Sequence, residues 1–222
     1  MTYPTETLIH SDIWATTDDL TILRHKLLDL FCRLAYQEGD FLLSSGLRSS
    51  YYVNKTQVTL NPQGALAIGR LLFSLLPIDT EAVGGLTLGA DPIVTAVSVV
   101  SVYENRTVVA STEAKYAQRC LPIPALIIRK EAKGYGTRAY IEGPSLPQGA
   151  KVVVLEDVVT TGQSALKAVE RLKEAGYTVN QVIALVDRQQ GGSELYQSVG
   201  LKFETLFSIN EIQERFRQLT NS

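Results

Sequence analysis

Two adjacent carboxylates, Glu156 and Asp157, stand between an apolar run and a short turn rich in hydroxyl groups. The apolar run, 152–155, has the composition of a parallel strand that is buried on both faces. The turn, 160–164, supplies backbone N–H groups and hydroxyls at the start of a predicted helix, and these suit a phosphate. The carboxylates would repel a bare phosphate, but they can bind sugar hydroxyls or a divalent cation. The stretch therefore indicates a site for a phosphorylated sugar.

Three other segments place glycines or charged residues directly after an apolar run. They are the glycine-rich turn 84–91, the basic segment 129–138 and the polar segment 187–192. The basic segment carries four basic residues and one acid, although such a charge run is as often a solvated loop as a ligand site. Ligands of open parallel sheets bind outside the carboxyl ends of the strands. All four segments together therefore predict one composite site.

The elements that position these segments alternate between strands and helices, which predicts an α/β fold with a mostly parallel central sheet flanked by helices. An N-terminal arm, helix and hairpin (1–60) form a small hood in the predicted division, and 61–222 form the core. Residues 101–124 lack a clear period and are predicted to be a connection with at most one short strand. Helix ends are predicted from a Thr16/Asp19 capping box, Asn61-Pro62, Pro77, Gly176 and a Ser208/Glu211 capping box.

A hairpin is predicted where two short apolar runs, 41–43 and 51–53, flank a polar tip. Tyr51 and Tyr52 could pack against the core or stack on a planar ligand, and packing is the simpler interpretation.

Composition excludes several classes of protein. The 222 residues are 45% apolar and carry a formal net charge of −2 with a pI near 5.8, which argues against general nucleic-acid or membrane-surface binding. No apolar run is long enough to span a bilayer, and residues 1–20 lack the apolar core of a signal peptide. Cys32 and Cys120 form no framework pattern, which favours a reducing, cytoplasmic location. His10 and His25 lack the spacing of metal ligands.

Residues 155–164 resemble the phosphoribosyl-pyrophosphate (PRPP) motif of type I phosphoribosyltransferases. The segments 129–136 and 187–192, and the hairpin with Ser45-Gly46 before Tyr51-Tyr52, resemble the orotate phosphoribosyltransferase family within that group. The resemblance implies a glycosyltransferase of pyrimidine (UMP) biosynthesis that transfers ribose 5-phosphate from PRPP to N1 of orotate. It also implies orotidine 5'-monophosphate and pyrophosphate as products, a Mg²⁺ cofactor, and a homodimer in which the loop 129–138 acts in the neighbouring subunit's site.

The resemblance assigns roles residue by residue. Lys133, Glu156 and Asp157 are the implied catalytic residues. Arg188 is expected to hold the carboxylate of orotate, with Thr160, Tyr52 and Val53 also lining the orotate site. No direct metal ligand is assigned, since Mg²⁺ is expected to be bound mainly through PRPP oxygens. The implied PRPP-binding residues are Arg129, Lys130, Lys133, Glu156, Asp157, Val158, Val159, Thr160, Thr161, Gly162, Gln163 and Ser164.

Three positions depart from the family pattern. Ser44 and Leu88 stand where many members carry lysine, and Tyr135 stands where members commonly carry histidine. Two alternatives also remain open from the sequence. A phosphoribosyltransferase for another base would have no use for Arg188, and a PRPP-sensing regulator that binds nucleic acid would be expected to carry a basic stripe.

Overall fold

The structure is a computed structural model that describes residues 13–42, 48–110, 122–132 and 140–221. Its helices are a 3₁₀ turn (Trp14–Thr16), α1 (Leu20–Leu34), α2 (Thr56–Thr59), α3 (Pro62–Leu75), α4 (Asp91–Ala110), α5 (Gln163–Glu174), α6 (Gly192–Ser198) and α7 (Ile209–Thr220). Its strands are β1 (Tyr36–Leu42), β2 (Arg48–Val53), β3 (Ala82–Leu86), β4 (Ala125–Ile128), β5 (Ile141–Glu142), β6 (Val152–Val159), β7 (Gln181–Asp187) and β8 (Lys202–Ser208).

A six-stranded sheet in the order β5-β4-β3-β6-β7-β8 forms the centre of the molecule. All neighbours pair in parallel except the short edge strand β5, which lies antiparallel to β4 and was not predicted from the sequence. The predicted α/β class with a mostly parallel sheet is therefore confirmed. Because β3, β4, β6 and β7 run in the same direction, their carboxyl ends lie along one edge of the sheet.

The sheet is buried on both faces, because alternate side chains of its strands enter two different apolar clusters. Val153 and Leu155 of β6 pack with residues of α1, α3 and α4, whereas Val152 and Val154 pack with residues of α5. The continuous apolar run of β6 thus reflects its position between two helical layers. Within the described ranges, no helix is long and apolar enough to cross a membrane.

The hairpin β1–β2 forms a separate two-stranded antiparallel sheet beside this core. Tyr36 pairs with Val53, and the register shifts between Glu38 and Phe41. Residues 44–47 of the predicted tip lie outside the described residues, whereas 48–50 belong to β2.

Helix starts agree with the sequence at two of three positions. The Asn61 side chain accepts hydrogen bonds from the N–H groups of Gln63 and Gly64, both at 3.0 Å, as a cap before Pro62 should. Ser208 accepts a hydrogen bond from the Glu211 N–H at 3.2 Å.

The predicted Thr16/Asp19 capping box is wrong. Asp19 is itself the N-cap of α1 and accepts from the N–H groups of Thr21 and Ile22. Thr16 ends the preceding 3₁₀ turn, where its hydroxyl donates to the carbonyl of Ile13. The cap is therefore Asp19, which directly precedes the helix, and not Thr16, which lies three residues further towards the N-terminus.

The helix α4 continues to Ala110, so the prediction of a connection beginning at 101 is wrong for its first ten residues. Tertiary contacts stabilise this part of the helix despite its weak periodicity. Val100 and Ser101 are buried, and the Ser101 hydroxyl accepts a hydrogen bond from the Ile123 N–H at 2.9 Å. Residues 111–121, which include Cys120, lie outside the described part of the chain, whereas Cys32 is a buried free thiol of α1.

Candidate active site

The two adjacent carboxylates lie inside β6, which extends to Val159 rather than ending before them. Glu156 is 7% exposed and Asp157 is 1% exposed. Burial raises the pKa of Glu156 to about 8, and the negative charge of Asp157 adds to this, while Lys55 and Lys130 oppose it. Among the described residues, Glu156 Oε2 has no hydrogen-bond partner. This buried oxygen is therefore available to a ligand hydroxyl.

Lys55 balances the second carboxylate, and sequence reasoning did not identify it. It follows β2 directly, and its ammonium group forms an ion pair with Asp157 Oδ2. The other carboxylate oxygen, Oδ1, accepts a hydrogen bond from the Val158 N–H at 2.7 Å. In the sequence, Lys55 is only a lysine after the predicted hairpin. Local periodicity does not predict that it contacts β6, about a hundred residues further along the chain. Its position depends on how the hairpin docks on the sheet.

The glycine-rich turn after β3 approaches the same carboxylate. A Cβ atom at Gly89 would overlap the carboxylate group of Asp157, so a larger residue there would displace this carboxylate. Thr87 donates a hydrogen bond to Asp91 Oδ2 at 2.8 Å, which holds the turn against the start of α4. Leu88, one of the departures from the family pattern, is 79% exposed in this turn.

The turn between β6 and α5 has the geometry expected of a phosphate site. Gly162 is the N-cap of α5 with φ of +84°, a left-handed conformation that favours glycine. Within the described part of the chain, the backbone N–H groups of 161–164 donate no hydrogen bond, so they are free for an anion. They border a cavity of about 80 Å³. The lining residues are Glu156, Val158, Val159, Thr160, Thr161, Gly162, Gln163, Ser164, Ala165 and Tyr196.

Arg188 follows β7 and is held against the hairpin. Its backbone N–H donates to the carbonyl of Val159 at 2.9 Å, which places it beside the end of β6. Its side-chain Nε donates to the hydroxyl of Tyr51 at 3.0 Å, and the guanidinium carbon lies 4.9 Å from the centre of the tyrosine ring. The Tyr51 ring in turn stacks on Tyr36, with centroids 5.9 Å apart.

The structure places the two tyrosines of the hairpin on opposite faces. Tyr51 and Val53 are half-buried, whereas Tyr52 is 43% exposed and its ring lies 5.7 Å from that of Phe41. Tyr52 and Val53 stay predicted orotate-binding residues, and Tyr51 is the tyrosine that contacts Arg188. The alternation of side chains along a strand places Tyr51 and Tyr52 on opposite faces.

The first residues of the basic segment follow β4. Arg129 forms an ion pair with Glu142 at 3.2 Å. Arg171 of α5 donates hydrogen bonds to the backbone carbonyls of Arg129 and Lys130, the latter at 2.7 Å, and its guanidinium carbon lies 4.0 Å from the ring centre of Tyr140. Lys133 and Tyr135 lie outside the described residues, as does Ser44 of the hairpin tip.

Comparisons with known proteins agree with this arrangement. Residues 85–216 match the phosphoribosyl transferase domain family. The chain is 70% identical to an orotate phosphoribosyltransferase of a Nostoc species, with all of both chains covered. It is 60% identical to the orotate phosphoribosyltransferase of a Synechocystis species, over 91% of this chain and 94% of that one.

Solved structures extend the similarity to three dimensions. The orotate phosphoribosyltransferase of Mycobacterium tuberculosis in complex with PRPP matches with a TM-score of 0.64 and 33% identity, covering 86% of this chain and 99% of that one. An adenine phosphoribosyltransferase of Leishmania donovani, at 16% identity and a TM-score of 0.59, shares the fold alone. On the full-length identity to curated relatives and the match to the domain family, this chain belongs to the orotate phosphoribosyltransferases.

Proposed function

We propose that this protein transfers the ribose 5-phosphate group from PRPP to N1 of orotate, which yields orotidine 5'-monophosphate and pyrophosphate in pyrimidine synthesis. The observation that carries the proposal is the arrangement at one edge of the sheet. A buried carboxylate pair and a helix-start phosphate turn adjoin Arg188, which is held by Tyr51. A sugar phosphate and a carboxylated base can therefore bind side by side.

The chemistry requires stabilisation of charge rather than a protein nucleophile. The bond from the ribose C1 to the pyrophosphate oxygen breaks as the bond to N1 of orotate forms. Positive charge develops on the ribose and negative charge on the pyrophosphate. Glu156 and Asp157 accept hydrogen bonds from the ribose hydroxyls, and their negative charge favours the developing cation. The turn 160–164 binds the 5-phosphate through free N–H groups and hydroxyls.

The other two substrate groups are bound by cationic side chains. Arg188 pairs with the carboxylate of orotate, and its orientation is preset by the hydrogen bond to Tyr51. Arg129, Lys130 and Lys133 bind the departing pyrophosphate. Of these, Arg129 and Lys130 stand at the end of β4, on the same edge as the carboxylates.

We assign Mg²⁺ as a cofactor that neutralises charge on the pyrophosphate when PRPP is bound. The described residues contain no group of three side chains suited to a metal ion. Glu156 and Asp157 would add negative charge beside the ion, and oxygens of PRPP would supply most of its ligands.

The active assembly in this proposal is a homodimer in which the segment 129–138 completes the site of the neighbouring subunit. Apolar side chains on the outer face of α4 support an interface, since Val99 is 52% exposed and Tyr103 is 63% exposed. Val99 also lines a groove of about 610 Å³ between α4 and the start of α3. The cysteine pattern favours a cytoplasmic enzyme.

The deciding experiment mixes the protein with PRPP, Mg²⁺ and one base at a time, and follows pyrophosphate release together with loss of the base. Orotate should be used at least a hundredfold faster, by kcat/KM, than uracil, adenine or hypoxanthine, because only orotate offers a carboxylate to Arg188. Preference for any neutral base would overturn the assignment. Pyrophosphate release without consumption of a base would do the same.

A further inference from the structure

Tyr196 is a buried residue of α6 that no step of the proposed reaction uses. The whole residue has 0% exposure, yet its hydroxyl has no hydrogen-bond partner among the described residues. A buried hydroxyl without a partner is unfavourable by roughly 1–3 kcal/mol, so a site that leaves one needs an explanation. Such a group is a candidate for a bond that forms only when a ligand arrives.

The hydroxyl lies directly against the phosphate turn. A Cβ atom placed on Gly162 would lie 3.0 Å from Cζ of Tyr196 and 3.1 Å from its hydroxyl oxygen. Tyr196 lines the same cavity of about 80 Å³ as the backbone of 160–164. The tyrosine ring packs against Phe203 at 5.1 Å, which leaves the ring little freedom to move away.

The hydroxyl also stays protonated. Burial raises the pKa of Tyr196 well above its ordinary value, and the nearby negative charges of Glu156 and Asp187 act in the same direction. A phenol that keeps its proton at every working pH can donate a hydrogen bond to an anion. It complements the N–H groups of 161–164, which are donors to the same cavity.

We propose that Tyr196 is a further ligand-binding residue, whose hydroxyl donates a hydrogen bond to the 5-phosphate of the ribosyl substrate. The inference rests on the proposed function, because it takes the turn 160–164 as the 5-phosphate site. It adds a donor from α6, an element that the sequence motif does not include. The phosphate is then held from two elements, the α5 start and α6.

Tyr196→Phe removes only the hydroxyl, and it should weaken phosphate binding without lowering the stability of the unliganded protein. Loss of a hydrogen bond to a charged group should raise the Kd for ribose 5-phosphate and for inorganic phosphate on the order of tenfold. The Tm of the unliganded variant should equal or exceed that of the wild type, because an unpaired buried hydroxyl has been removed. Tyr177→Phe, a buried tyrosine at the other end of α5, serves as the control and should leave both Kd values unchanged.

Titration calorimetry of the full-length protein distinguishes the outcomes. Equal phosphate affinity in wild type and Tyr196→Phe would overturn the role of Tyr196. So would a loss seen with ribose 5-phosphate but not with inorganic phosphate, because the hydroxyl would then act on the ribose through Glu156. A wild type that binds ribose 5-phosphate but does not use orotate would overturn the proposed function alone. A wild type that binds neither phosphate ligand would overturn the phosphate site itself.

Discussion

Individual side chains of the site are held by partners from distant parts of the chain. Arg188 is held by Tyr51, and Asp157 by Lys55, in each case across the boundary between hairpin and sheet. Substituting one partner therefore affects the other as well. These contacts and the buried Glu156 lead to four predictions.

Arg188→Ala should raise the KM for orotate by about 30- to 100-fold while the KM for PRPP changes less than threefold. The reason is that a charge-assisted bidentate contact is worth about 1.5–3 kcal/mol and touches only the base. Steady-state kinetics with each substrate varied in turn measures both constants. Tyr51→Phe, which keeps the guanidinium but removes its hydrogen-bond partner, should give an intermediate effect. An equal rise in the KM for orotate and for PRPP would contradict the assignment of Arg188 to the orotate carboxylate.

Lys55→Met should lower the free energy of unfolding by about 1–3 kcal/mol, because it leaves Asp157 buried without its counter-charge. This loss is smaller than that for a fully buried ion pair, because the Lys55 side chain is 34% exposed. Lys55→Arg should retain most of the stability. Urea denaturation of both variants measures the difference. As a matched control, Lys151→Met removes an exposed ion pair with Asp79 and should lower the free energy of unfolding much less than Lys55→Met does.

Binding of ribose 5-phosphate at pH 7 to 8 should release protons. In the unliganded protein, burial raises the pKa of Glu156 to about 8, so the carboxyl is largely protonated below that pH. Ribose hydroxyls that donate to the carboxylate favour its ionised form and lower this pKa. Affinity should therefore increase as the pH rises towards 8. Calorimetry in buffers of different ionisation enthalpy measures the protons released, and Glu156→Gln should release fewer.

The raised pKa of Glu156 also makes the stability of the folded protein depend on pH. Because the folded-state pKa of Glu156 lies above its ordinary 4.5, the folded protein binds more protons than the unfolded chain between about pH 4.5 and 8. The contribution of Glu156 to the free energy of unfolding therefore falls as the pH rises through this window. Glu156→Gln should remove that part of the pH dependence in denaturation curves.

At the scale of secondary structure, both ends of α5 contact segments of the candidate site. Its first turn borders the phosphate cavity, and Arg171 near its end bonds the carbonyls of Arg129 and Lys130. The end of β4 is thereby tied to the helix that starts at the phosphate turn. In the proposed function, one helix thus links the positions of the pyrophosphate and the 5-phosphate.

Arg171→Met should lower kcat/KM for PRPP by about tenfold, because the two cationic residues at the end of β4 lose their fixed position. The KM for orotate should change less than threefold. Arg171→Lys should recover little, since an ammonium cannot bond two carbonyls in the planar geometry of a guanidinium. Lys167→Met removes an exposed cation of the same helix and should have no effect. A rise in the KM for orotate alone, with kcat/KM for PRPP unchanged, would argue against a role of Arg171 in positioning Arg129 and Lys130.

At the scale of the whole molecule, the outer face of α4 carries the exposed apolar side chains of Val99 and Tyr103. We expect a second copy of the chain to cover this face. Val99→Asp should shift the protein towards monomers and reduce turnover, because a buried charge at an interface is costly. Light scattering after size exclusion, across a range of concentrations, measures the mass. Ile78→Asp, an equally exposed apolar position beyond α3, is the control.

A monomeric wild type would contradict the dimer proposal directly. A dimer that survives Val99→Asp would place the interface on another face. In either case, kinetics at matched concentrations shows whether turnover depends on assembly.

The sequence alone determined the α/β class, the carboxylate pair and the phosphate turn. These depend on local patterns, namely a continuous apolar run, adjacent acids and a glycine at a helix start, all within 152–164. The tertiary structure decided which other residues meet them. Lys55, Tyr51 and Tyr196 enter the site through docking of the hairpin and of α6, and no local spacing encodes those contacts. Strand register likewise decided that Tyr51 contacts Arg188, because a shift of one residue would turn its side chain to the other face.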